Sequence, residues 1–155
     1  MTARFSLSKQ TDTALVILRV IVGSIFIAHG AQKLFVFGFA GVSGAFGQMG
    51  VPLPGLMGPF IALLEFFGGI ALVLGLLTRL ASLGLVFNML GAISLVHLKA
   101  GFFNPAGVEF PLALAGMSTA LVLAGAGRFS VDALISSRRD KARAQWKPEL
   151  ERKAA

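Results

Sequence analysis

The sequence predicts an all-α integral membrane protein: a four-helix bundle with a short interfacial segment between helices 1 and 2. Three observations predict it. Of the 155 residues, 55% are hydrophobic and 14% charged, with a mean hydropathy of +0.81. Soluble domains carry about 25% charged residues, and so short a chain could not cover this much apolar side chain with polar surface. Apolar runs recur along the chain, each close to the ~20 residues that a spanning helix needs. Each run also carries small or polar residues on one helical face, the pattern that lets membrane helices approach closely.

Taken in order, residues 1–12 form a polar head with Arg4 and Lys9, and the first apolar run extends from Thr13 to Phe35. It is too long for a signal-peptide core and has no clear small-residue cleavage site. A Gly-rich connection, Val36 to Pro54, follows, with a short helix expected near Phe39 to Met49. The second span is expected from Leu56 to Leu77, the Thr78–Arg79 link turns the chain, and the third runs from Leu80 to Leu98. A loop from Lys99 to Gly107 holds the turn pair Asn104–Pro105, and the fourth span covers Val108 to Ala126 with Pro111 in its first turn. The four-helix domain thus occupies residues 13–128. Residues 129–155 form a basic tail in which Ser130 caps a short helix, Val131 to Ile135, before a solvated or disordered end.

The inward stripes are read as Arg19, Gly23, Gly30 and Lys33 on the first span and Gly58, Ala62, Glu65 and Gly69 on the second. Gly84, Asn88 and Gly91 mark the third, and Glu109, Ala113, Gly116 and Ala120 the fourth.

The net charge of +7 would ordinarily suggest nucleic acid. The basic residues crowd the tail instead, at Arg138, Arg139, Lys141, Arg143, Lys147, Arg152 and Lys153, so no nucleic-acid partner is expected. With both termini and the Thr78–Arg79 link on one side, that side also gains Arg4, Lys9, Arg79 and Arg128, against Lys33 and Lys99 opposite. The positive-inside rule then places both termini in the cytoplasm of a multi-pass plasma (inner) membrane protein. The chain has no cysteine, which excludes disulfides, thiolate metal sites, iron–sulfur ligation and a thiol relay within it.

Ionisable residues inside apolar spans are costly, roughly 2.5–3.5 kcal/mol at the bilayer centre on insertion scales, and ordinarily mark function or find partners. Here they are Arg19, His29, Lys33, Glu65, His97 and Glu109, joined by the polar amide Asn88. At ~1.5 Å of rise per residue, Glu65 and Asn88 fall near the midplane and Arg19 toward the cytoplasm. His29, Lys33, His97 and Glu109 fall in the outer half. Glu65 reads as a proton-active carboxylate or as the partner of a structural ion pair with Arg19 or Lys33. Arg19 suits a structural role, as a fixed charge with a forked geometry. Lys33 either points inward or snorkels to the interface. The two histidines suit proton transfer, hydrogen bonding to a quinone carbonyl, joint haem ligation, or a satisfied interior position. Asn88 reads as helix–helix glue or a ligand contact, and Glu109 as a proton-exchanging group or a favourable charge at a helix N-terminus.

The ordered motifs His29-Gly30-Ala31-Gln32-Lys33-Leu34, Glu65-Phe66-Phe67-Gly68-Gly69 and Gly75-Leu76-Leu77-Thr78-Arg79 resemble the DoxX family of small four-span membrane proteins. So do His97 with Gly101-Phe102, Gly107-Val108-Glu109-Phe110-Pro111, Gly125-Ala126-Gly127-Arg128-Phe129-Ser130-Val131-Asp132 and the Gly50-Val51-Pro52 turn. The resemblance spans nearly all of the chain except the tail. It implies the four-helix fold and, through relatives associated with thiosulfate:quinone oxidoreduction or thiol-redox complexes, a membrane subunit of a redox system.

The expected activity is therefore quinone-linked. Glu65, His29, His97 and Glu109 would exchange protons or hydrogen-bond, and Lys33, Arg19 and Asn88 would bind the ligand. No metal and no intrinsic cofactor are expected. The expected partners are the lipid bilayer and a separate electron-donor protein or other membrane subunits, with homo-oligomerisation open. The alternatives are a non-catalytic membrane anchor or assembly factor, and a carrier of a small anion or proton.

Overall fold

A computed structural model describes the backbone of residues 2–154 and the side chains of residues 9–143. The described chain is all helical. Helix α1 spans Thr2–Ala31 and passes through a π-helical segment, Gln32–Phe37, into α2, Gly38–Gln48; α3 is Pro54–Leu74. Helix α4, Thr78–Ala92, continues through a second π-helical segment, Ile93–His97, and a 3-10 turn, Leu98–Ala100. Helix α5 is Glu109–Ala124 and α6 is Val131–Ala154. Three helical runs are long and apolar enough to cross a membrane: Lys9–Gln48, Pro54–Leu74 and Thr78–Ala100. Glu109–Ala124 is a shorter apolar helix.

Local chemistry sets the boundaries. The first helical run is 40 residues long, which at ~1.5 Å per residue would be about twice the hydrocarbon thickness if straight. Gly38 adopts φ 64°, ψ 168°, a conformation open to glycine, and turns α2 aside from the line of α1. Helix α2 then packs on the start of α3, with Val42 buried and Gly58 close against Ser43. This is the short helix expected between the first two spans. Pro54 opens α3 where a missing N–H costs nothing. Gly75, in the left-handed region, closes it through Gly75 N–H to Leu72 O and Leu76 N–H to Ala71 O, the paired bonds of a Schellman cap.

Helices α1, α3, α4 and α5 pack as successive neighbours, and α5 returns to touch α1. The α1–α3 seam is the closest. A Cβ placed on Gly23 would lie 2.7 Å from Gly69 O, and one on Gly69 would lie 2.7 Å from Gly23 O. Backbones this near exclude any side chain larger than hydrogen, as the stripes on the first two spans require. The core within the bundle is Val22, Phe26, Leu72, Leu85, Met89, Leu114, Ala115 and Leu121.

Two expectations are corrected. Helix α5 turns Pro111, Leu114, Ala115, Ser118 and Leu121 inward, while Ala113, Gly116 and Ala120 are exposed and Gly116 has open space around it. Spacing defines a face but not the direction in which it points. The larger residues of α5 interlock with Leu85 and Met89 on α4, so the small stripe faces outward. The tail does not leave its helix at Ile135. The backbone stays helical to Ala154, with Ser130 Oγ accepting from Ala133 N–H at 3.1 Å as the expected cap.

The start of the first span and the segment after the last meet at one end of the bundle, the α6 end. Arg128 N–H donates to Asp12 Oδ1 at 2.9 Å, joining the start of the first span to the segment after the last. Asp132 of α6 accepts from Leu77 N–H at 2.8 Å and Thr78 N–H at 3.0 Å, capping α4 from a distant part of the chain.

Candidate functional site

A polar cluster sits near mid-depth on three helices. Glu65, on the inward face of α3, is buried, with 5% of its side chain exposed. Its Oε2 pairs with the Lys33 ammonium from the first π-helical segment. Its Oε1 accepts from Asn88 Nδ2 of α4 at 2.9 Å. Lys33 is 19% exposed, so the pair reaches from the interior toward the outer surface of the bundle. The wider turn of a π-helix shifts the side-chain register, and such segments recur at functional sites. Both π-helical segments here carry a predicted site residue, Lys33 in one and His97 in the other.

Next in sequence to the pair, aromatic side chains form a ladder at the surface. Phe35 meets Phe66 edge-on with centroids 5.7 Å apart, and Phe66 meets Phe67 likewise at 5.3 Å. These are favoured T-shaped contacts. Phe35 and Phe67 are both exposed, so in a bilayer this face contacts lipid or anything dissolved in it.

The other predicted residues lie elsewhere. Arg19, 1% exposed, stands at the α6 end and not beside Glu65. Its Nη2 donates to Phe129 O at 2.6 Å and its Nη1 to Leu72 O at 3.4 Å, which ties α1 to the end of α3 and to the segment before α6. Of the two ion-pair partners open to Glu65, the structure selects Lys33. His97 Nδ1 lies 2.7 Å from Ala106 O. A carbonyl only accepts, so Nδ1 carries the proton, and His97 holds the loop between α4 and α5. Glu109 Oε1 accepts from Asn104 N–H at 3.0 Å and fastens the same loop. His29 is exposed and lies against Phe110, with ring centroids 6.1 Å apart. Among the described residues neither histidine hydrogen-bonds the Lys33–Glu65–Asn88 cluster, and no three His, Asp or Glu side chains gather as a metal site.

Sequence reasoning missed a second polar layer near the α6 end. Thr78, Ser82 and Ser118 are fully buried, and their hydroxyls, like Arg19 Nε, have no partner among the described residues. Nothing in the sequence distinguishes them from helical hydroxyls that bond back to the preceding turn. Asp12 was missed too. Its signal is a carboxylate at the threshold of the first apolar run.

Apolar spans closed around a buried lysine–carboxylate–amide cluster define a helical-bundle membrane protein with a polar intramembrane centre. The DoxX family profile matches residues 14–98, and the chain belongs to the DoxX family. It is 36% identical over 118 residues to "Putative oxidoreductase CatD" of Bacillus subtilis (strain 168), covering 74% of this chain and 83% of that protein. It is 32% identical over 133 residues to inner membrane protein YqjF of Escherichia coli (strain K12), covering 85% and 99%. An uncharacterized membrane protein of Mycobacterium tuberculosis, Rv3486, is 30% identical over 145 residues, covering 85% and 87%. No solved structure matches.

Proposed function

We propose that the chain is the membrane subunit of a redox system that works with quinone and draws electrons from a separate donor protein. The observation that carries this reading is the Lys33–Glu65–Asn88 cluster, a buried carboxylate held by an ammonium that is itself partly accessible. A quinone bound at this face would supply two-electron, two-proton chemistry. The residues fit such a group: Phe35, Phe66 and Phe67, close in sequence to Lys33 and Glu65, offer aromatic surface. Lys33 would hold negative charge developing on an oxygen, Glu65 would store or release the proton, and Asn88 would keep Glu65 oriented. The oxidoreductase name of the Bacillus subtilis relative agrees with this reading. In this reading the basic α6 end faces the cytoplasm of the inner membrane, which the excess of Lys and Arg there supports.

A second reading, a non-catalytic anchor or assembly factor, is favoured by one observation: both oxygens of Glu65 are already satisfied, as in a structural staple. Glu65→Gln separates the two. It is nearly isosteric and removes the proton chemistry while keeping an acceptor for Asn88. In membranes containing the assembled system it should leave protein abundance unchanged and lower quinone-linked turnover at least tenfold, the low end for loss of acid–base catalysis at about 10²-fold being softened by residual hydrogen bonding. Full turnover with Glu65→Gln would rule out the redox reading and leave the anchor.

A further inference from the structure

Two clefts adjoin at the α6 end, away from the Lys33–Glu65 cluster. The larger, about 630 Å³, lies between the α3–α4 turn, the end of α5 and the start of α6. The smaller, about 350 Å³, runs along α6, and the two share Leu77, Asp132 and Ser136. Their charged lining is unequal. Arg79 lies across the end of α5, over Gly125, and gives one N–H to Leu123 O at 3.3 Å. A guanidinium has five N–H donors, and no other side-chain bond of Arg79 is formed within the described residues. Arg139 and Arg143 line the smaller cleft. Of the two carboxylates, Asp132 has its oxygens engaged by Leu77 N–H and Thr78 N–H, and three arginines against two carboxylates leave the lining net positive. At the rim, Leu77 and Leu80 are 61% and 66% exposed.

This charged cleft opens where two apolar helices end, so in a bilayer it lies at headgroup depth, with Leu77 and Leu80 on the hydrocarbon side. We infer that it binds an anionic phospholipid of the leaflet at the α6 end. Arg79 takes the phosphate in the larger cleft, Arg139 and Arg143 add positive charge along the smaller one, and the acyl chains lie along Leu77 and Leu80. Guanidinium groups suit the role because their fork matches two phosphate oxygens at once. The surplus of arginine over free carboxylate selects an anionic lipid over a zwitterionic one. The site joins α4, α5 and α6, so its occupant would also fasten α6 to the bundle.

The test uses the full chain in phosphatidylcholine vesicles carrying trace spin-labelled phosphatidylglycerol or spin-labelled phosphatidylcholine, with the motionally restricted fraction read by electron spin resonance. The native chain should prefer phosphatidylglycerol, and Arg79→Gln should lower the relative association constant about fivefold. Arg139→Gln with Arg143→Gln should lower it at least as much without touching the bundle, which covers the case in which Arg79→Gln weakens the end of α5. Arg79→Lys should retain part of the preference through charge alone. Arg138→Gln with Lys141→Gln removes equal charge from exposed positions of α6 that line neither cleft and should leave the preference intact. Three results would overturn the inference. The native chain could show no preference, the Arg138/Lys141 pair could matter as much as the cleft arginines, or inorganic phosphate at constant ionic strength could abolish the preference, which would mark a soluble-anion site.

Discussion

Replacing Lys33 by methionine leaves the Glu65 carboxylate inside the bundle with Asn88 as its remaining partner. The reverse change, Glu65→Gln, leaves an ammonium that already lies 19% exposed and can swing its flexible stem toward the surface. Glu65 has no such escape. It lies near the middle of the 21-residue α3, about 14–16 Å from either end at ~1.5 Å per residue. Removing one partner of a buried pair costs about 3–5 kcal/mol in soluble interiors. Polar contacts inside membranes are worth less, so Lys33→Met should cost about 2–4 kcal/mol. Glu65→Gln keeps the Asn88 bond and should cost about 1 kcal/mol, the net value of an ordinary hydrogen bond. The double change Lys33→Met with Glu65→Gln has no buried charge left to solvate and should resemble Glu65→Gln alone. Unfolding of the purified protein in mixed micelles of rising sodium dodecyl sulfate fraction, followed by far-ultraviolet circular dichroism, measures all three. The reasoning fails if the two single changes cost the same, or if the double variant is as unstable as the sum of the singles.

At the α1–α3 seam, Gly23→Ala and Gly69→Ala should each destabilise the bundle by about 1–3 kcal/mol through overpacking, because each new methyl would sit 2.7 Å from a facing carbonyl. Gly116→Ala, with open space around it, should be neutral or slightly stabilising, and the same detergent titration ranks all three. Asp132→Ala should cost about 1 kcal/mol by uncapping α4, and native-state hydrogen exchange should show the loss first at Leu77 and Thr78, the amides it accepts from. Single cysteines at Ser43 and Asn104 should react with an impermeant maleimide from outside intact cells, and one at Ala155 only after lysis. Outside labelling at Ala155 would reverse the assigned orientation.

The helices were legible because burial in lipid leaves a strong mark: long apolar runs, interrupted where the chain must turn. The expected spans Leu56 to Leu77 and Val108 to Ala126 are the observed Pro54–Leu74 and Glu109–Ala124, their ends displaced by one to three residues, with Pro54, Gly75 and Gly125 setting three of the four. Which residues meet was less legible, because it depends on the register between helices. Gly23 beside Gly69 and Gly30 beside Phe66 fix α1 and α3 antiparallel, and that register carries Arg19 to the level of Leu72 and Gly75. Glu65 is then left to Lys33, one turn beyond Gly30. A sequence read without a partner helix offers both bases to the same acid and cannot choose between them. The π-helical segments that shift Lys33 and His97 in register have no compositional signature either.

The two small-residue stripes with opposite fates show where pattern stops and packing begins. On α1 and α3 the glycines face one another, so each backbone fills the space that the other lacks a side chain to occupy. Helix α5 has the same spacing at Ala113, Gly116 and Ala120, but α4 presents Leu85 and Met89 to it, and large residues need large partners to fill the interior. Leu114 and Leu121 therefore turn inward and carry the small face out. On the α1–α3 seam Gly23 meets Gly69 and Gly30 meets the backbone of Phe66. This tight pair supplies two of the three residues of the polar cluster, Lys33 just beyond Gly30 and Glu65 beside Phe66. The close seam holds the ends of that ion pair at fixed depth. Asn88 arrives from α4 and completes the cluster by donating to Glu65 Oε1 at 2.9 Å, so the cluster joins the tight α1–α3 pair to the half of the bundle packed by large side chains.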